Sequence, residues 1–113
     1  MNDMGREVLI AAGLAGVPQG RRGWEHPLTH ALCAQGVLIR SLFPDVELGP
    51  WGDRAREAHR LFWERNDAMV KETKRFYECS ENEWSELSRR NDRGEDFLTI
   101  ARKVGMGDDG SLL

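Results

Sequence analysis

The sequence predicts an all-α protein, a small helical bundle of four to five helices with one long central amphipathic helix. Three observations carry that prediction. Apolar residues recur at three- and four-residue spacing, helix-start and helix-stop residues fall between the runs, and no window alternates strictly between apolar and polar. At 113 residues, with 40% hydrophobic and 31% charged side chains, the chain is long enough to bury a core without staples. Residues 1–104 are expected to form one helical domain, and 105–113 a flexible acidic tail.

The first helix is expected from Asp3 to Ala15, with Met4, Val8, Ala11 and Ala15 as its buried stripe. Gly5 and Gly13 weaken it by about 1 kcal/mol each relative to Ala, so it needs packing to form. Gly16 to Gly23 reads as a loop with Arg21 and Arg22 at its tip. A second helix is expected from Pro27, which suits a first helical position, to Leu42, before Phe43-Pro44-Asp45. Its buried face would comprise Leu28, Ala31, Leu32, Leu38, Ile39 and Leu42. The third is expected from Pro50 or Asp53 to Cys79. Ser80 and Glu83 have the spacing of a capping box for the fourth, with Cys79 and Trp84 as its staple. Its pattern fails after Leu87, Asn91 to Gly94 reads as a break, and Glu95 to Val104 resumes with Phe97, Ile100, Ala101 and Val104.

The third helix is the most informative element. Trp51, Ala55, Ala58, Phe62, Met69 and Phe76 fall on one side of an apolar band, and Trp63, Val70 and Tyr77 on the other. The opposite face is charged with alternating sign, from Arg56 to Glu78, which reads as solvated surface. Thirty helical residues measure about 45 Å, whereas a compact domain of this size is only about 35 Å across. Such a helix must bend, break or project, and a projecting apolar stripe needs a partner. His59, Asn66 and Thr73 recur every seven residues inside the band. Two readings are open for them: polar groups satisfied in the core, or a ladder that sets register against a partner helix.

Sixteen Lys and Arg against nineteen Asp and Glu give a net charge of −3, too balanced for a polyanion binder driven by bulk charge. Cys33 and Cys79 read as reduced thiols. The apolar run Val8 to Ala15 lacks a basic leader and is too short to cross a bilayer, so the expected location is cytoplasmic. Gly105 to Gly110 matches a dinucleotide-binding fingerprint by letters alone, without the strand and helix that give those glycines their role. No catalytic constellation is nominated, and no cofactor is expected.

The function expected from these residues is a non-catalytic protein–protein interaction module, a small regulatory or inhibitory protein that occludes a partner. Stand-alone helical chains of this kind include stoichiometric inhibitors, phage-encoded anti-defence proteins among them. The expected partner-binding residues are Trp24, Arg21, Arg22, His59, Trp63, Asn66, Val70, Thr73 and Tyr77, with homodimerisation through the long helix as one mode. Two alternatives come from other classes. A nucleic-acid-binding regulator would use Arg21, Arg22, Arg54 and Arg56. A metal-binding protein would use His26, His30 and Cys33, which a helix would bring toward one face, with Cys79 or His59 as a fourth ligand.

Overall fold

Five helices follow one another in the described part of the chain: α1 (Asp3–Leu14), α2 (Ala34–Leu42), α3 (His59–Phe76), α4 (Glu81–Asp92) and α5 (Phe97–Lys103). The computed structural model describes residues 1–21, 23–26, 29–46 and 59–106, with backbone alone for 59–63. Among the described residues there is no strand, only isolated bridges from Leu32 to Gln19 and Glu25. The protein is thus an all-α helical bundle. Helix α1 lies against α5 and α2, α4 joins α2 to α5, and α3 packs on α2. Leu9, Leu38, Ile39, Leu87, Ile100 and Val104 form the centre, each without exposed surface.

Local chemistry sets most of the helix ends. Asn2 caps α1 by accepting from the Gly5 N–H, and Asp96 caps α5 by accepting from the Thr99 N–H. The predicted capping box at α4 is present, with Ser80 and Glu83 satisfying each other's backbone N–H groups. Cys79 and Trp84 beside it both enter the core. The Glu83 carboxylate also pairs with the Met1 ammonium group. Burial opposes its ionisation, but the ammonium and the Ser80 hydrogen bonds outweigh that and hold its pKa below the ordinary carboxylate value.

Helix α3 stops at Phe76, three residues before the expected end. Cys79 N–H reaches back to Lys74 C=O and Glu78 N–H to Arg75 C=O, the paired bonds of a Schellman turn. That turn needs a left-handed residue, and Glu78 supplies it at φ +51. A non-glycine there is strained by about 1 kcal/mol or more. Glu78→Gly is therefore expected to raise the unfolding free energy by up to about 1 kcal/mol in thermal melts. A lower melting temperature would mean that the glutamate side chain makes a contact worth more than the strain.

Three expectations need correction. The buried stripe of α1 is Gly5, Leu9 and Ala12, whereas Met4, Ala11 and Ala15 face outward. The helix is turned by about one residue, or 100°. A Cβ on Gly13 would stand 3.0 Å from Leu98, and one on Gly5 3.2 Å from Tyr77, so the glycines mark close helix contact where the hydrophobic pattern sees nothing. Second, α2 begins at Ala34 and not at Pro27. Residues 29–33 instead form a turn and an extended stretch, with His30 at φ +60. Leu32 exchanges backbone hydrogen bonds with Pro18 and Gly20, and Cys33 N–H donates to Trp24 C=O. Those long-range bonds outcompete the modest helix propensity of Thr29 and His30.

Third, α4 continues to Asp92, and its buried face runs on through Arg90 and Asn91. Those residues are polar, so a hydrophobic pattern ends too early, but each is paired. The predicted start of the long helix and its Trp51, Ala55 and Ala58 lie outside the described residues. The 18 residues of α3 that are described measure about 27 Å.

Candidate functional site

A groove of about 400 Å³, open to solvent, lies between the end of α2 and the flank of α3. Its walls are Phe43, Val46, Ala68 and Met69, with Arg65 and Glu72 two turns apart along α3. The first wall is built by Arg40 in the last turn of α2. Its guanidinium donates to the carbonyls of Phe43, Pro44 and Val46 and to Glu25 Oε1, at 3.5, 2.8, 2.7 and 2.6 Å. A cation at a helix C-terminus is favourable in itself, and here it also pins the departing chain. The second wall follows from the spacing on α3, where Met69 points inward at 4% exposure while Arg65, Ala68 and Glu72 remain exposed.

A second apolar surface is the outward side of α1. Met4 is 51% and Leu14 75% exposed, Ala11 and Ala15 are exposed on the same side, Glu7 sits among them as an exposed carboxylate, and Val8 is half-buried at the margin. The helix beneath is held firmly, because Arg6 donates to the Ala101 carbonyl at 2.7 Å and Asn2 Nδ2 to the Phe76 carbonyl. The sequence pattern assigned Met4, Val8, Ala11 and Ala15 to the core and made no use of Leu14. Treating Gly5 and Gly13 as contact positions would have placed the face correctly.

The residues expected to bind a partner are distributed as follows. Asn66, Thr73 and Tyr77 are 2%, 0% and 2% exposed within the protomer's own core, and Val70 packs half-buried against it. Thr73 is satisfied by donating to the Met69 carbonyl, and the Tyr77 and Ser41 hydroxyls bond each other. Asn66 differs, since neither of its side-chain polar atoms has a hydrogen-bond partner among the described residues. Of the rings on the predicted stripe, Met69's neighbour one heptad on, Phe76, is 45% exposed and stands edge-on to Tyr77. Trp24 folds back onto the core, half-buried, with its indole N–H donating to Gln35 Oε1. Its carbonyl lies so close to Gly36 that a Cβ there would collide with it. Arg21 is exposed and reaches toward Gly94 at the end of α4. Arg22 lies outside the described residues, as do the side chains of His59, Phe62 and Trp63.

For the metal-binding alternative, the helix that was to align His26, His30 and Cys33 is absent over those positions. His26 Nδ1 accepts from the Thr29 N–H, His30 faces Glu25, and the Cys33 sulfur accepts from the Gly36 N–H as the cap of α2. Burial raises the pKa of Cys33 and pushes that of Cys79 up to about 11, so both thiols are protonated at neutral pH. Among the described residues no group of three metal-capable side chains converges. For the nucleic-acid alternative, Arg54 and Arg56 lie outside the described residues along with Arg22. Among the described residues, no helix is long and apolar enough to cross a membrane. Compared with known proteins, the chain matches no family model, no curated protein and no solved structure.

Proposed function

We propose that this chain is a non-catalytic protein–protein interaction module, a small regulatory or inhibitory protein that acts by covering a surface of its partner. One observation carries the reading: the outward face of α1 exposes Met4, Ala11, Leu14 and Ala15 around the single carboxylate of Glu7. Burying a leucine such as Leu14 against a partner is worth about 1.5–3 kcal/mol. The face sits on a capped helix braced by Arg6 and by the close approach at Gly13, so little ordering is needed on binding. Laying an apolar helix face into a groove is a common recognition mode, and an inhibitor of this kind needs no chemistry of its own. The phage-type anti-defence role is one instance of that class.

The test is quantitative cross-linking capture from the native host, comparing the wild-type chain with Leu14→Glu. The leucine is mostly in water, so the variant is expected to melt within about 2 °C of wild type. Capture of the specific partner is expected to fall by about tenfold or more, the cost of burying a charge where an alkyl group sat. Equal capture of the same partner by both forms would refute the assignment of α1 as the binding face.

A further inference from the structure

We infer that α3 is a swinging element: it undocks from α2 about a pivot at Phe76–Glu78, and the buried amide of Asn66 keeps the docked form only slightly favoured over the open one. The inference goes beyond the α1 binding face and does not depend on it. Asn66 is 2% exposed, and neither its Oδ1 nor its Nδ2 has a hydrogen-bond partner among the described residues. An amide placed in that way has given up its bonds to water and gained none in return, and the penalty falls on the docked form alone. A motion that lets water reach Asn66 removes it.

One end of the helix is anchored and the other is where the stranded amide sits. At the anchored end Asn2 donates from Nδ2 to the Phe76 carbonyl and from its backbone N–H to the Tyr77 carbonyl, and the Tyr77 and Ser41 hydroxyls bond each other. Asn66 lies eleven residues, about 16 Å, before Tyr77. Between them Thr73 is fully buried, yet its hydroxyl donates within α3 to the Met69 carbonyl, so that bond travels with the helix. Helix α3 packs chiefly on α2, whereas α1, α4 and α5 each lie against two other helices.

The groove marks the line of separation. Its Phe43 and Val46 wall is fastened to α2 by Arg40, and its Ala68 and Met69 wall belongs to α3. Opening parts the two walls and uncovers Met69 and Thr73. Glu78, left-handed at φ +51 in the turn after α3, stands where a hinge would absorb the change in backbone angle.

Native-state hydrogen exchange of the full chain in low urea tests this residue by residue. Once undocked, a single helix of this length is only marginally stable in water, so its amides exchange from the open form. The amides of Met69 to Thr73 are expected to be at least tenfold less protected than those of Leu9 and Ile100, and nearly insensitive to urea below the unfolding transition. Asn66→Leu and Asn66→Met remove the stranded amide, and each is expected to raise that α3 protection by about tenfold or more. The two replacements differ in shape, so a packing fault peculiar to one does not decide the result. Exchange of α3 with the same protection and the same urea slope as Ile100 would overturn the inference, because global unfolding would then be the route. So would α3 protection that stays the same or falls in both variants. None of those results touches the α1 face, whose test runs through Leu14.

Discussion

Arg90→Met is expected to lower the unfolding free energy by about 3–5 kcal/mol, read from urea denaturation with the slope unchanged. Arg90 is 2% exposed, and its guanidinium donates from Nε to Glu86 at 2.6 Å and from Nη1 to Glu95 at 2.9 Å. Glu86 is itself buried and also accepts from the Gly105 N–H, so it ties the end of α5 to the middle of α4. Burial disfavours the arginine charge, but the two carboxylates more than offset it and raise the arginine pKa. Removing the cation leaves the buried Glu86 carboxyl with only the Gly105 N–H and no counter-charge. The double variant Glu86→Leu with Arg90→Met takes both charges away together and is expected to recover most of the loss. If the double variant is as unstable as the single one, shape rather than charge is what Arg90 supplies.

Asn91→Ala is expected to cost about 3 kcal/mol or more, and to loosen the 17–33 segment before the helices melt. Asn91 has no exposed surface. Its Oδ1 accepts from Gln19 Nε2 at 2.8 Å and from the Ala34 N–H at 3.0 Å, while its Nδ2 donates to the Gly20 carbonyl at 2.7 Å. One amide therefore fastens the loop, the first turn of α2 and α4 together. Alanine would strand the Ala34 donor and the Gly20 acceptor, at about 1–3 kcal/mol for each buried group left unpaired. Hydrogen exchange gives the diagnostic pattern, with protection lost first at Gly20, Leu32 and Ala34. Uniform loss across the five described helices would mean that the segment is not a separable unit.

Both residues matter for the candidate surfaces, although neither lies on them. The segment that Asn91 fastens carries Glu25, and Glu25 holds Arg40, which in turn fixes Phe43 and Val46 as a groove wall. The chain of contacts runs from a buried amide on α4 to the apolar surface beside α3.

How much of this was legible in the residues differs by element. The helical class, the Ser80–Glu83 box, the core role of Trp84 and the Phe97, Ile100, Ala101 and Val104 stripe followed from periodicity and capping chemistry, because both act within one or two turns. The start of α2, the facing of α1 and the polar continuation of α4 did not. Each depends on a partner distant in sequence: Leu32 bonded to Pro18 and Gly20, Gly13 pressed on Leu98, Arg90 held between Glu86 and Glu95. Local pattern counts glycine as empty and arginine as surface. Only the assembled fold decides that a missing side chain permits close contact, or that two carboxylates make a buried cation stable. The surfaces that remain apolar and exposed are what is left after those long-range choices, so the tertiary structure, not the periodicity, selects them.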